Sequence, residues 1–138
     1  MRRLIASAIV VLALAACGGS SGGPGGITFS PATENCSNPV AMTVTVLLPS
    51  SLHTGDTITQ KLDSNTLGSA AVNTYAVPKP DGSWSSVSQT NAADMKASCD
   101  AATANNVAAP AFASGTHTEQ VLDPSGKVVA EGSYTVTR

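Results

Sequence analysis

The residues that could perform chemistry in this 138-residue chain are few and widely spaced. Its only histidines, His53 and His117, lie far apart in the sequence. A metal site would require them to converge with a carboxylate or with a methionine such as Met42 or Met95. His53 falls in a predicted loop and His117 in a strand of polar pattern, so we expect solvated histidines and no metal or other cofactor.

The acidic residues give no catalytic pair. Glu119, Asp123 and Glu131 cluster around the last predicted hairpin, where exposed acids usually add solubility. A catalytic pair would require one carboxylate with a raised pKa inside a pocket. A calcium loop that could begin at Asp63 is interrupted, because Leu67 stands where an oxygen ligand belongs. The sequence therefore predicts a protein that is not an enzyme.

Residues 1–17 have the layout of a secretory signal. Arg2 and Arg3 precede an apolar run at 4–14, and small residues then lead to Cys17. The run is shorter than the roughly 20 apolar residues that a membrane-spanning helix requires. We therefore expect an exported protein, not one held by a transmembrane helix.

The stretch LAAC that ends at Cys17 resembles the lipobox, the cleavage signal of bacterial lipoproteins. The resemblance implies that residues 1–16 are removed and that Cys17 carries a thioether-linked diacylglycerol, with an amide-linked acyl chain such as palmitate to follow. Two or three long chains on one residue make a lasting membrane anchor. Gly18 replaces the aspartate that the family associates with inner-membrane retention, which implies the outer membrane where the envelope has two. A plain secreted protein is the alternative.

The segment after Cys17 reads GGSSGGPGG and carries neither charge nor apolar side chains. Such a segment cannot bury enough surface to offset the entropy of ordering, so it acts as a flexible spacer. We therefore expect residues 17–26 to form the lipidated cysteine and its tether, and 27–138 to form a single folded domain.

The charge balance excludes nucleic acid as a partner. Without Arg2 and Arg3, the seven basic residues become five, against nine acidic ones, which is a net charge of −4. No cluster of basic residues occurs, whereas a nucleic-acid surface requires a positive footprint. The partners that we expect are the membrane, through Cys17, and another envelope protein.

Cys36 and Cys99 are the two cysteines that remain once Cys17 is lipidated. An exported domain folds under oxidising conditions, so a disulfide that closes a loop of about 63 residues is the default expectation. A reactive thiol or a metal pair is the alternative. Neither cysteine has a C-x-x-C partner or a neighbouring histidine to favour it.

Strand patterns dominate the folded part. Apolar side chains alternate along 40–48, which places Val40 and every second residue up to Leu48 on one face. A break at Gly132 separates the last two strands. The predicted strands lie at 40–48, 57–62, 75–77, 84–87, 116–122, 127–130 and 133–137.

One segment is helical in character. Residues 92–103 are rich in alanine, Asn91 can cap their free N–H groups, and Asp94 lies in the first turn. Met95 and Cys99 fall on one stripe with Ala92 and Ala102. We therefore expect a short helix at 92–103, joined through Cys99 to the first strand.

About seven short strands with regular turns predict an antiparallel β-sandwich. The pieces GDTIT at 55–59, LDPSGK at 122–127 and GSYTV at 132–136 resemble bacterial immunoglobulin-like and fibronectin-type-III-like domains. Those families repeat a late D-x-x-G turn and a closing G-x-Y-x-V strand. The resemblance implies an immunoglobulin-like sandwich, to which the short helix is an addition.

Trp84, the sole tryptophan, follows a turn and could stack on a sugar or lie in the core. We expect a non-catalytic, lipid-anchored envelope lipoprotein with a structural or protein-binding role. A small-ligand or carbohydrate-binding module centred on Trp84 is the first alternative, which an exposed indole would favour. A hydrolase or metal-dependent enzyme is the second, which convergence of His53 and His117 would favour.

Overall fold

The computed structural model describes residues 25–105 and 110–138, and the elements below are those of this part of the chain. Two helices, α1 (Val72–Tyr75) and α2 (Ala92–Asn105), and a 3₁₀ turn at Pro110–Phe112 interrupt the strands. The strands are β1 (Gly26–Ser30), β2 (Thr33–Asn35), β3 (Met42–Leu48), β4 (Thr57–Leu62), β5 (Asn65–Ala71), β6 (Val77–Pro78), β7 (Trp84–Thr90), β8 (Gly115–Leu122) and β9 (Val128–Thr137).

The strands form two sheets that pack as a sandwich, which confirms the expected class. One sheet has the order β1-β3-β7-β6 and the other the order β2-β9-β8-β4-β5. Every pair is antiparallel except β2 with β9, which is parallel. The departure from a purely antiparallel sandwich is thus confined to a three-residue strand at one edge.

The core lies between the sheets and follows the alternation along the strands. In β3, Met42, Val46 and Leu48 are buried, and in β4 Ile58 and Leu62 are buried as the sequence predicts. The predicted start of the first of these strands is wrong, because Val40 is exposed and pairing with β1 and β7 begins only at Thr43 and Met42.

Helix α2 begins where the sequence predicts it and ends two residues later than expected. Asn91 caps it reciprocally: its Oδ1 accepts the Asp94 N–H at 2.9 Å, and its Nδ2 donates to Asp94 Oδ2 at 2.7 Å. Met95 and Cys99 are buried. The exposed Ala92 does not share in the buried stripe.

A disulfide joins Cys36 to Cys99, with the two Cα atoms 5.6 Å apart. Cys36 directly follows β2 and donates its N–H to the carbonyl of Thr137 at 2.9 Å. The bond therefore fastens α2 to the β2 edge of the five-stranded sheet. The expectation that it would join α2 to the predicted strand at 40–48 is wrong.

The predicted break at Gly132 is also wrong, because β9 runs without interruption from Val128 to Thr137. A Cβ atom on Gly132 would lie 2.0 Å from the carbonyl oxygen of Ile27 in β1. Glycine at this position therefore lets the edge of one sheet cross the other at close range.

Three strands and one helix differ from the sequence-based expectation. The strand expected at 75–77 is reduced to β6, because Tyr75 ends α1 and pairing begins only at Val77. Asp63 and Ser64, with positive φ values of 48° and 77°, form the turn into β5, a strand that was not expected. Strands β1 and β2 were not expected either, and β1 begins at Gly26, the last residue of the expected tether.

Candidate functional site

The cysteine expected to carry lipid, Cys17, lies outside the described residues, as does the expected signal at 1–16. Its lipidation stays a prediction. Within 25–105 and 110–138, no helix is long and apolar enough to cross a membrane.

Trp84 is a core residue at the start of β7. Its side chain is only 5% exposed, and its Nε1–H donates to the carbonyl of Leu52 at 3.0 Å. An indole held in this way satisfies its one polar group and offers no face for stacking on a sugar. A ligand site centred on Trp84 is therefore not supported by its position.

The two histidines do not converge. His53 lies exposed in the loop before β4, with its Nδ1 3.7 Å from Asp56 Oδ2. His117 lies in β8 and is 6% exposed, so the expectation that it would be solvated is wrong. Among the described residues, no group of three or more histidine, cysteine, aspartate or glutamate side chains could hold a metal ion.

His117 fastens two loops to the sheet. Its Nδ1 lies 2.6 Å from Asp63 Oδ2, and its Nε2 lies 2.7 Å from the carbonyl oxygen of Ala113. Both ring nitrogens are therefore engaged by contacts within the fold. Neither nitrogen is left to act as a base on a substrate.

The carboxylate of Asp63 is held by the same contacts. Burial raises its pKa, but hydrogen bonds from His117 and from the Thr118 N–H outweigh that effect and lower the pKa below the ordinary value. A carboxylate that stays ionised and bonded in this way positions the β4–β5 turn, which is a structural role.

The segment that contains Ala113 is held at two further points. The Tyr134 hydroxyl donates to the carbonyl of Ala111 at 2.8 Å, and an Arg138 guanidinium nitrogen donates to the carbonyl of Phe112 at 2.7 Å. Burial, together with the charges of Glu119 and Asp63, raises the pKa of Tyr134, so its hydroxyl keeps its proton and remains a donor.

The three acids of the last hairpin have three different environments. Asp123 closes the turn: its Oδ1 accepts N–H groups from Ser125 at 2.9 Å and Lys127 at 3.0 Å. Hydrogen bonds from the Ser125 hydroxyl and the Lys127 amide lower the pKa of Asp123. Glu131 accepts a hydrogen bond from Gln120, which pairs with it across β8 and β9.

Glu119 is the exception, and the expectation that it would be an exposed acid is wrong. It shares the inward-facing side of β8 with His117 and Val121, because alternate residues of a strand face the same way. Burial raises the pKa of its carboxyl group, and a hydrogen bond from Gln60 opposes that rise only in part. A carboxyl group with a raised pKa is the kind of group that marks candidate sites.

Gln60 connects Glu119 to the surface. Its Nε2 donates to Glu119 Oε1 at 3.4 Å and to the Tyr75 hydroxyl at 3.1 Å. Burial and the nearby charge of Glu119 raise the pKa of Tyr75 to about 12, while the Gln60 hydrogen bond lowers it slightly. The three side chains form a polar path from the interior to α1.

Tyr75 also lines an open groove of about 350 Å³ between residues 73–77 and residues 85–87. This volume is at the small end of the range for ligand sites, which is about 300–1,000 Å³. Val77 and Val87 at its margin are 66% and 65% exposed. This groove, with Glu119 and Gln60 behind Tyr75, is the candidate functional site of the described chain.

The partly buried carboxyl group of Glu119 gives a testable prediction. Because its folded-state pKa is raised above the ordinary value of 4.5, the native state favours the protonated form. That contribution to stability is complete below pH 4.5 and is lost as the pH rises through the folded-state pKa. Each pKa unit between folded and unfolded chains is worth about 1.4 kcal/mol. We expect Glu119→Gln to raise the free energy of unfolding by on the order of 1 kcal/mol at pH 7 and to change it little at pH 4.

Urea unfolding at both pH values measures this effect. Asp100→Asn is the matched control, since it removes an exposed acid from α2 and should show no comparable difference between the two pH values. A Glu119→Gln protein that is less stable than the parent at pH 7 would contradict the assignment of a destabilising charge at this partly buried position.

Comparison with known proteins does not assign this chain to a family. No protein-family model, no curated protein and no solved structure matches the chain. The fold and the site define a small, disulfide-linked sandwich of two β-sheets with an open groove at one sheet edge. The resemblance to immunoglobulin-like and fibronectin-type-III-like domains stays a prediction.

Proposed function

We propose that this chain is a lipid-anchored envelope lipoprotein whose sandwich is a non-catalytic module for binding another envelope protein. The lipobox-like end at Cys17 and the glycine-rich tether support the anchor. The observation that carries the binding role is the pair of exposed valines, Val77 and Val87, beside a groove at the edge of the four-stranded sheet. Apolar side chains that lie together on one exposed margin favour an interaction site more than singly scattered ones do.

Three polar side chains are used to hold the fold together, which supports a binding role over catalysis by these groups. The ring nitrogens of His117 and the carboxylate of Asp63 are each engaged by the fold itself, as is the hydroxyl of Tyr134. A catalytic base or nucleophile must reach the substrate with a free atom. These groups hold loops in place instead.

The anchor has a direct test. We expect the mature chain in the membrane fraction to begin at Cys17, because the lipobox-like stretch ends there, and to carry the added mass of its acyl groups. Intact-mass spectrometry of the detergent-extracted protein measures this. A Cys17→Ser chain should keep residues 1–16 or leave the membrane fraction. A parent protein recovered as a soluble, unmodified mature chain would contradict lipidation.

A small-ligand site in the same groove is the second candidate, since one observation favours it. Tyr75 lines an opening of about 350 Å³, and its hydroxyl is connected through Gln60 to the Glu119 carboxyl. Direct binding separates the two candidates. A compound that binds and is lost on Tyr75→Phe would favour a ligand, whereas a protein partner that is lost on altering Val87 favours the interaction module.

A further inference from the structure

The edge of β7 is only partly covered. Strand β3 pairs with all of β7, from Trp84 to Thr90. On the opposite side, β6 pairs only with Trp84 and Ser85. Residues 86–90 therefore form a sheet edge with no neighbouring strand among the described residues.

The direction of the free hydrogen-bonding groups follows from the turn between β6 and β7. The Lys79 N–H donates to the Ser83 carbonyl at 2.7 Å, so the main chain of Ser83 faces β6. In an antiparallel ladder, alternate residues point their N–H and C=O groups to the same side. Val87 and Gln89 consequently present these groups outward, and within the described chain neither residue has a hydrogen-bond partner for them.

We propose that this edge binds an extended, uncharged peptide segment of a partner protein, which adds to the sheet as a strand beside residues 86–90. Two outward N–H and C=O pairs that repeat at the spacing of a strand match the hydrogen-bonding groups of another extended chain in register. The proposal rests on the binding role proposed above and specifies its partner.

The chemistry of the edge defines the partner segment. Neither residues 86–90 nor residues 73–77 include a charged side chain or a proline, the usual means by which natural edges prevent pairing. A charged partner segment would lose hydration here without gaining an opposite charge, so an uncharged segment is favoured. The exposed Val87 favours an apolar side chain opposite it, on the outer face that it shares with Val77.

Such a strand would end at the groove. The groove lies between β7 and the segment that connects α1 to β6, in line with the two residues of β6. A partner strand beside residues 86–90 would direct inward side chains toward Ser86 and Tyr75 in this groove. Edge and groove together give one continuous contact.

A second copy of this chain fits the edge less well. Two β7 strands related by a two-fold axis would share only the five residues 86–90, which is small against the roughly 1,000 Å² of buried area that a stable interface requires. The residues that would then approach the partner's groove are Asn91 and Ala92, where α2 begins. A helix start cannot enter the groove as an extended segment.

The test uses the full lipidated chain in its native envelope, with a photo-crosslinking amino acid at position 89 and, for comparison, at position 133 on the outer face of the other sheet. We expect position 89 to crosslink to an extended, uncharged segment of one partner. A synthetic peptide of that mapped segment should then protect the amide protons of Val87 and Gln89 from hydrogen exchange.

Two variants of Val87 distinguish strand addition from ordinary apolar contact. Val87→Pro removes an outward N–H at a sheet edge where proline is tolerated, and it should lower peptide affinity at least about tenfold, the equivalent of one or two main-chain hydrogen bonds. Val87→Thr keeps the main chain and the side-chain shape, and it should change the affinity by less than about threefold. If Val87→Pro does not fold, Gln89→Pro takes its place.

The outcomes distinguish a failure of strand addition from a failure of the proposed binding role. A partner that crosslinks only at position 133, and whose affinity is unchanged by Val87→Pro, overturns strand addition but leaves the binding role. Crosslinks from position 89 to a second copy overturn the proposed partner class. The absence of crosslinks from both positions overturns the edge proposal and the binding role together.

Discussion

We expect a chain without the Cys36–Cys99 disulfide to lose roughly 2–5 kcal/mol of its free energy of unfolding. The bond spans a sequence separation of 63 residues, so it removes much conformational freedom from the unfolded chain. It also holds the buried face of α2 against the β2 edge, since Cys99 is buried next to Cys36. A loss of this size is a large share of the roughly 5–15 kcal/mol that stabilises a typical domain.

Urea unfolding of the Cys36→Ala, Cys99→Ala double variant measures the loss. The parent protein with its disulfide reduced is the matched control, because it breaks the same bond without removing either side chain's sulfur, and its unfolding midpoint should fall close to that of the double variant. Reducing agent should leave the double variant unchanged. Equal midpoints for the oxidised and reduced parent would contradict a stabilising bond.

The second large effect is expected for Gly132→Ala, which should cost about 3 kcal/mol or more. The added Cβ would meet the main chain of Ile27, with the carbonyl oxygen at 2.0 Å and the carbonyl carbon at 2.7 Å. Main-chain atoms of a paired strand cannot turn aside as a flexible side chain can. Strand β1 would have to move away from β9, and the buried Ile27 and Phe29 would be displaced with it.

Gly68→Ala is the control, since it adds the same methyl group within a strand, β5, where no atom lies within 4 Å. Thermal and urea unfolding of both variants give the comparison. We expect Gly68→Ala to differ little from the parent. A Gly132→Ala protein as stable as Gly68→Ala would show that β1 does not cross β9 at this distance.

Local patterns in the sequence were enough to predict the elements that are specified by residues close together in the chain. The alternation around Ile58 and Leu62 predicts β4, and the Asn91 cap predicts the start of α2, because both signals depend on near neighbours in the chain. The oxidising route implied by the leader, with two remaining cysteines, likewise predicts their pairing.

Elements that depend on a distant neighbour escaped prediction. Strand β2 has three residues and exists through its parallel pairing with β9, and β5 is an exposed edge without alternation. Gly132 looks like a break because glycine usually ends strands, but only the approach of Ile27 explains it.

The candidate site was decided by tertiary structure for the same reason. His117, Glu119 and Val121 form an inward-facing row, yet two of the three are polar, so the hydrophobic pattern that marks a buried face is missing. Burial of His117 becomes acceptable only because Asp63 and Ala113, from other parts of the chain, supply its acceptors. A chain's own residue order specifies which groups are available, whereas the packing of its sheets decides which of those groups lose water and which edge stays open.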